Sequence, residues 1–332
     1  MNIKPVGIIA NPSSGKDIRR LIAYGSVFNN NEKINIIKRI LMALEALGVE
    51  EVCIMPDHSG LGMRARDDLD ISLKTNLLDM NIEGNQEDST RAAEILDNMG
   101  VACIITLGGD GTNRVVAKAC QETPLLPLST GTNNVFPFMI EGTLAGMAAG
   151  VMATHALSVE KVSLRAPRLE VYRNEKLADI ALIDMVVTDD AFIGARAVWE
   201  ADSIKEVFLT RARPANIGFS ALGAYLNSPS LESGKSLYIT IGSGKIEVKA
   251  PIAPGLISRL PIASHRSFGP GEVIPISHTP SVLALDGERE ISIAKGENLT
   301  VRFNPKGPLV VDIDKVLTVA AERGLFTSNQ NC

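Results

Sequence analysis

The first half of the chain alternates short apolar runs with segments of helical periodicity, and this alternation constrains the fold more than any other feature. Ile37, Ile40 and Leu44 recur at helical spacing, and Gly48 follows as a helix stop. Such alternation predicts right-handed crossovers and a parallel sheet with helices on both faces. The predicted strands are Val6–Ala10, Val52–Met55, Val101–Leu107 and Leu125–Leu128.

After about residue 155 the pattern changes to short alternating runs separated by turns. One predicted hairpin pairs Leu169–Tyr172 with Leu177–Val187, and another pairs Leu237–Ile241 with Ile246–Val248. We therefore expect a mostly antiparallel β domain, followed by a last helix over 315–323. Further predicted strands are Val282–Leu285, Glu290–Ile293, Leu299–Phe303 and Leu309–Ile313.

Composition narrows the function classes. The chain has 332 residues, of which 45% are hydrophobic, enough for two domains with real cores. The net charge of -5 and the 4% aromatic content speak against partners that are nucleic acids or anionic membranes. Gly142–Leu157 is uncharged but rich in Gly and Ala, which predicts a tightly packed helix rather than a membrane span. Cys53 and Cys103 lie in apolar runs without CxxC spacing, which predicts reduced thiols and a cytoplasmic protein.

The strongest motif is Gly-Gly-Asp-Gly-Thr-Asn-Arg at 108–114, between a predicted strand and a predicted helix. Ligands of open α/β sheets bind at the carboxyl ends of the strands. Glycines there let backbone N–H groups approach phosphate oxygens, whereas Asp110 suits taking a hydroxyl proton or contacting a metal. The alternative is an ordinary turn in which Asp110 caps the helix. The predicted phosphate-binding residues of this motif are Gly108, Gly109, Gly111, Thr112 and Arg114.

Two further polar turns, 11–16 and 129–134, also follow predicted strands. The first lacks the earlier glycine of a Walker A loop. Since parallel strands end at one sheet edge, we expect the three turns to converge on one site with hydroxyl, amide and lysine groups for phosphate. Arg211, Arg213, His265 and Arg266 are weaker candidates for additional cations. The predicted phosphate-binding residues of the two turns are Asn11, Ser14, Gly15, Lys16, Thr130, Gly131, Thr132, Asn133 and Asn134.

Together these motifs resemble the superfamily of NAD kinases, diacylglycerol kinases and sphingosine kinases, whose signature is Gly-Gly-Asp-Gly-Thr. The closest resemblance is to its acetoin catabolism protein X branch, through 108–114 and Gly-Thr-Asn-Asn-Val-Phe-Pro at 131–137. The resemblance implies an NAD kinase-like fold with a Rossmann-like α/β nucleotide-binding domain over 1–155 and a β-rich acceptor-binding domain over 156–305. The segment 306–326 is expected to return to the first domain.

The resemblance also implies chemistry: ATP-dependent transfer of a phosphoryl group to a hydroxyl, assisted by Mg²⁺, in a homo-oligomer. Asp110 matches the residue that faces the accepting hydroxyl in NAD kinases. Asp286 and Glu288 match the catalytic Asp-Gly-Glu of the lipid kinases, although Asp-Gly between two strands is by default a turn. Whether Asp110 or Asp286 is the base stays open, and the metal ligands are not assigned.

One departure concerns the acceptor. NAD kinases hold the dinucleotide with an Asn-acid pair on an early strand of the β domain, and the matching positions here are Ile183 and Asp184. Isoleucine makes none of the hydrogen bonds of an amide, a loss of about 1–3 kcal/mol for each polar ligand group left unpaired. We therefore expect an ATP-dependent kinase with NAD as the leading acceptor. The alternatives are a kinase of another hydroxyl compound, soluble or lipid, and a nucleotide-binding regulator without catalysis.

Overall fold

The computed structural model describes residues 3–15, 28–120, 122–131, 133–189, 201–226 and 234–327. Strands dominate the second half, and helices connect the strands of the first. The strands are β1 Val6–Ala10, β2 Glu51–Ile54, β3 Lys74–Leu77, β4 Ile104–Gly108, β5 Leu125–Ser129, β6 Ser163–Arg165, β7 Arg168–Arg173, β8 Lys176–Ala181, β9 Asp184–Thr188, β10 Ile204–Leu209, β11 Ser236–Ala253, β12 Leu256–Phe268, β13 Val273–Pro275, β14 Ser281–Leu285, β15 Glu288–Ile293, β16 Leu299–Asn304 and β17 Leu309–Val311. The helices are α1 Asn30–Ala46, α2 Leu61–Asp67, α3 Glu87–Met99, α4 Asp110–Ala119, α5 Gly142–Thr154, α6 Val159–Val162, α7 Phe219–Tyr225 and α8 Ile313–Glu322.

The first half forms a seven-stranded sheet in the order β3-β2-β1-β4-β5-β17-β6. Its strands are parallel except β6, which runs antiparallel to β17. Helices α1, α5 and α8 supply apolar side chains to the core on one face, and α3 and α4 to the core on the other. The predicted α/β class and parallel sheet are confirmed. The sequence pattern missed β3 and α2, which are short.

The second half forms two antiparallel sheets, as predicted. Their orders are β12-β11-β10-β9-β14-β15 and β13-β16-β7-β8. One core lies between these sheets, and another lies between the larger sheet and α7.

Two predicted hairpins are wrong in detail. The predicted strand Leu177–Val187 breaks at Leu182 and Ile183, where the chain passes from the smaller sheet to the larger one. The predicted turn after Ile241 is an irregularity inside the long β11, which pairs with β12 along most of its length. Alternation alone does not distinguish a bulge from a turn when the residues between two runs are glycines and serine.

The end of the described chain lies in the first sheet. There β17 pairs with β5 and β6, and α8 packs beside α5. Because β6 also lies in that sheet, we propose that the second domain begins after Arg165 rather than at residue 156.

Helix α5 packs closely on α1, as its composition predicts. A Cβ at Gly146 would lie 2.8 Å from the carbonyl oxygen of Ile40. Among the described helices, none has the length and apolar character needed to cross a membrane. Cys53, Cys103 and Cys120 are buried free thiols, and Cys332 lies outside the described residues.

Candidate active site

Three turns meet at the carboxyl edge of the parallel sheet. The side-chain amide of Asn11 donates to Thr112 Oγ1 at 2.9 Å, which joins the turn after β1 to the start of α4. The hydroxyls of Ser14 and Thr130 lie 2.8 Å apart, and the backbone N–H of Thr130 donates to the carbonyl of Gly108 at 3.2 Å. The turns after β1, β4 and β5 therefore form one continuous surface, as their positions after parallel strands predict.

A buried lysine holds the first of these turns. Lys33, on α1, is fully buried and donates to the backbone carbonyls of Asn11 at 2.8 Å, Pro12 at 3.2 Å and Ser14 at 2.7 Å. The sequence motifs did not predict this role of Lys33. The signal was its position one turn before Ile37 on the apolar face of α1, where a charge has a structural reason to be present.

The glycines of the central motif allow protein groups to approach closely. A Cβ at Gly108 would collide with the side chain of Thr112, and one at Gly109 would lie 2.8 Å from Asn134 Oδ1. A Cβ at Gly111 would lie 2.9 Å from a carboxylate oxygen of Glu288. The contact with Glu288 shows that the turn of the second half reaches the start of α4.

Asp110 is the first residue of α4, and its carboxylate is held by backbone amides. It accepts from the N–H of Val135 at 3.0 Å and of Phe136 at 2.7 Å. Asp110 therefore fixes the segment that follows the third turn. Asn134 closes that turn by donating to Ser129 Oγ at 2.8 Å.

Asp286, between β14 and β15 in the second half, is also held by backbone amides. Its carboxylate accepts from the N–H groups of Leu182 at 2.9 Å, Ile183 at 2.7 Å and Asp184 at 3.2 Å. These are the residues at which the predicted long strand breaks. Burial, helped by the nearby charge of Asp110, raises the pKa of Asp286 to about 7, against the opposing effects of backbone hydrogen bonds and Arg114.

Asp110, Asp184 and Asp286 line one small cleft between the two halves, with a volume of about 50 Å³. Ligand pockets commonly measure about 300–1,000 Å³, so a nucleotide needs the cleft to widen. The cleft brings three carboxylates beside apolar side chains, an arrangement suited to moving a proton from a hydroxyl. The other lining residues are Asn133, Val135, Ile217, Gly218, Phe219, Ile252, Ala253 and Gly287.

Arg114 does not lie where a nucleotide phosphate could meet it. Its side chain is fully buried, and Nη1 donates to the carboxylate of Asp179 at 3.1 Å. Lys118, one turn further along α4, donates to the same carboxylate at 2.8 Å. The prediction that Arg114 binds phosphate is therefore wrong for this conformation: burial gives Arg114 a structural ion pair between the two halves.

Two other predictions are tested by position. Ile183 was expected at the acceptor site, but its side chain is 1% exposed and belongs to the apolar core, while the adjacent Asp184 lines the cleft. His265 and Arg266 lie exposed on β12, where Arg266 pairs with Glu272.

Four further residues predicted at the phosphate site are Gly15, Lys16, Gly131 and Thr132. Gly15, at φ +72°, lies in the first turn, which needs a residue that tolerates the left-handed region. Lys16 and Thr132 lie outside the described residues. Gly131 accepts a hydrogen bond from Ser129 Oγ at 2.6 Å.

Within the described ranges, no group of three or more His, Cys, Asp or Glu side chains is arranged to hold a metal ion. The carboxylates of Asp110 and Asp286 already accept backbone N–H groups. A Mg²⁺ ion that arrives on the phosphates of ATP is part of the substrate and needs few protein ligands.

Two known families match successive parts of the chain. Residues 6–155 match the ATP-NAD kinase N-terminal domain, and residues 167–306 match the acetoin catabolism protein X C-terminal domain. These ranges agree with the change in architecture from the parallel sheet to the antiparallel sheets.

One curated relative matches nearly the whole chain. It is acetoin catabolism protein X of Cupriavidus necator, 36% identical over 337 residues, covering 97% of this chain and 94% of the relative. A solved NAD kinase from Archaeoglobus fulgidus in complex with ATP covers 98% of this chain and 100% of that chain, at 11% identity and a TM-score of 0.46.

Proposed function

The chain belongs to the acetoin catabolism protein X family, and from that premise we propose that it is an ATP-dependent kinase that transfers a phosphoryl group to a hydroxyl of a small molecule. The observation that supports this proposal is the joining of three polar turns by hydrogen bonds, two of which contribute Asp110 and Asn133 to the interdomain cleft that Asp286 also lines. A kinase needs a donor-phosphate surface directly beside a group that handles the hydroxyl proton.

In the proposed reaction, the turns after β1, β4 and β5 bind the phosphates of ATP through backbone N–H and hydroxyl groups. The bond between the γ-phosphorus and the ADP oxygen breaks, and its electron pair stays on ADP. A bond from the γ-phosphorus to the acceptor oxygen forms. The hydroxyl proton passes to Asp286, whose pKa of about 7 matches a base that works near neutral pH.

Asp110 has a positioning role in this scheme. Its carboxylate is tied to the N–H groups of Val135 and Phe136, and it also lines the cleft. It therefore keeps the third turn against the start of α4 while presenting a negative edge to the acceptor hydroxyl. Mg²⁺ bound to the ATP phosphates would supply neutralisation of their charge.

NAD is the first acceptor to test, since the family model that matches residues 6–155 is that of ATP-NAD kinases, although the match covers the domain proposed to bind ATP. The cleft wall favours a second candidate, a small soluble hydroxyl compound. Ile217, Phe219 and Ile252 give that wall an apolar surface, and the relative is named for acetoin catabolism. Acetoin carries one hydroxyl and is a suitable first test of this second class.

The third candidate is a nucleotide-binding regulator without catalysis. Three carboxylates beside a phosphate-binding surface disfavour it, because they oppose the binding of an anion unless one of them takes part in the reaction.

The test is formation of NADP by the purified protein with NAD, ATP and Mg²⁺, followed with an NADP-specific dehydrogenase. Asp110→Asn is the control. NADP that forms with the wild type and falls by about 100-fold or more with the variant supports an NAD kinase. Equal NADP formation by both proteins contradicts the role of Asp110.

The acceptor is tested in parallel by release of ADP from ATP with acetoin in place of NAD. Release that depends on acetoin and on Asp110 identifies a soluble hydroxyl acceptor. Binding of ATP without transfer to either compound supports the regulator.

A further inference from the structure

The cleft has an imbalance of charge for a site that receives phosphates. Asp110, Asp184 and Asp286 line it, whereas none of its lining residues is a lysine or an arginine. ATP bound with Mg²⁺ adds further negative charge, so a cation close to the cleft must offset the repulsion.

Three nearby cations are committed elsewhere. Arg114 and Lys118 both donate to the carboxylate of Asp179. Lys33 donates to the carbonyl oxygens of the first turn. Their positive charges therefore bind protein groups around the cleft.

Arg211 is placed differently. It directly follows Thr210, whose N–H donates to the carbonyl of Ile183 at 2.9 Å and whose hydroxyl donates to that of Leu182 at 2.6 Å. The carbonyl of Arg211 accepts from Ser220 Oγ at 3.1 Å. The backbone of Arg211 is thus fixed between the segment that holds Asp286 and the helix α7 that forms part of the cleft wall.

The guanidinium of Arg211 is fixed at its other end. It lies over the ring of Phe136, 5.3 Å from the ring centroid, and the backbone N–H of Phe136 donates to Asp110. Burial and the nearby charge of Arg213 lower the pKa of Arg211, and the charges of Asp110 and Asp286 oppose that shift. Arginine nevertheless stays protonated near neutral pH.

Within the part of the chain that the structure describes, no carboxylate lies within 4.0 Å of the Arg211 guanidinium. A guanidinium stacked on an aromatic ring keeps the N–H donors of its edge available for a planar array of oxygens. Arg211 therefore combines a fixed position near both acids with an uncommitted charge.

We propose that Arg211 binds the phosphoryl group during its transfer, at the junction of the three turns and the acceptor cleft. This inference rests on the proposed function. The transferring group carries its charge on three equatorial oxygens, which a guanidinium edge can contact as the bond to ADP breaks and the bond to the acceptor forms.

The test measures binding of ADP with Mg²⁺ by calorimetry, with and without aluminium fluoride, a mimic of the phosphoryl group in transfer. We expect aluminium fluoride to tighten ADP binding to the wild type about tenfold or more. In Arg211→Gln this gain should fall about tenfold, while the Kd for ADP alone stays within about twofold. Arg211→Lys should retain part of the gain, because it keeps the charge and loses the planar fork.

The matched control is Arg259→Gln, which removes an exposed arginine of β12 in the same domain and should behave as the wild type. Thermal unfolding of each variant checks the fold. Arg211→Gln that keeps the full gain overturns the proposal, as does a variant that weakens ADP alone and the fluoride complex equally. A wild type that binds no ADP contradicts the proposed function itself and removes the premise for Arg211.

Discussion

The buried ammonium group of Lys33 fixes the shape of the first turn. Its ammonium turns the carbonyls of Asn11, Pro12 and Ser14 toward α1. On the other side of the turn, the hydroxyl of Ser14 meets that of Thr130. A buried lysine can thus hold the first turn against the third without contacting a ligand.

Lys33→Met should weaken ATP binding about tenfold or more, because the turn loses the hydrogen bonds that orient it. Lys33→Arg should restore part of the affinity. Calorimetric titration with ATP and Mg²⁺ measures the effect. Lys38→Met, on the same helix but paired with Asp68 nearer the surface, is the control and should leave ATP affinity unchanged. Equal ATP affinity in Lys33→Met and the wild type would exclude this role.

Asp286 makes stability depend on pH. Its pKa is about 7 in the folded protein against an ordinary value of 3.8, so the folded state binds the proton more tightly. Stability contributed by the protonated group is present below about pH 4 and is lost as the pH rises toward 7. The neighbouring charges of Asp110, Asp184, Arg114 and Arg211 set the extent of the loss.

Asp286→Asn should therefore flatten the fall in unfolding free energy between about pH 4.5 and 8, where the wild type loses on the order of a few kcal/mol through this group. Asparagine suits the site because Asp286 has φ +49°, a conformation that asparagine tolerates. Urea unfolding at several pH values gives the slope of the unfolding free energy against pH for the wild type and for the variant. Parallel slopes would show that Asp286 does not titrate in this range.

At the scale of elements, the contact of α5 with α1 depends on the absence of side chains. Gly146 meets the backbone of α1 at Ile40, whereas Gly150 meets only the side chain of Leu47. Backbone cannot move as a leucine side chain can, so the two glycines differ in what they tolerate.

Gly146→Ala should destabilise the protein by about 1–3 kcal/mol, even though alanine favours helix more than glycine does. Gly150→Ala is the matched control and should cost much less, because the Leu47 side chain can adjust. The urea midpoint measures both. A Gly146→Ala protein as stable as Gly150→Ala would mean that the helices separate without cost.

The elements that could be predicted from sequence are those whose pattern is local. Buried parallel strands appear as apolar runs, and the three turns follow from their place after such strands. The break at Leu182 could not be predicted, because Asp286, which takes the N–H groups of 182–184, lies about a hundred residues away. The burial of Arg114 likewise depends on Asp179 in the other half.

The candidate site follows the same division. The convergence of the turns could be predicted from the sequence, and so could the presence of Asp110 and Asp286 at the site. The roles of Lys33 and Arg211 were not, because each depends on which atoms the fold places around one cation. Ile183 shows the reverse error: its match to the NAD kinase pattern suggested the cleft, but Ile183 lies in the break between β8 and β9 with its side chain in the apolar core.

At the scale of the whole molecule, one buried ion pair joins the two halves. The fully buried Arg114 on α4 pairs with Asp179 on β8, and Lys118 adds a second, partly exposed donor. The start of α4, which carries Asp110, is thereby held against the domain that carries Asp286. The geometry of the cleft depends on this joint.

Asp179→Asn should cost about 3–5 kcal/mol of stability, because it leaves the buried Arg114 charge without its counter-charge. Lys118→Met, which removes only the more exposed partner, should cost less than about 1 kcal/mol. Urea unfolding compares the two variants. Equal losses of unfolding free energy in the two variants would show that the stability of the pair does not depend on the burial of Arg114.

Phosphoryl transfer at the cleft is tested most directly by following the γ-phosphoryl group of ATP by ³¹P NMR. The purified protein is mixed with ATP, Mg²⁺ and either NAD or acetoin. Transfer at the cleft predicts loss of the γ-phosphate signal and growth of a phosphomonoester signal with the wild type, and neither change with Asp110→Asn. An unchanged γ-phosphate signal in protein that binds ATP, or equal transfer by the variant, would contradict phosphoryl transfer at this cleft.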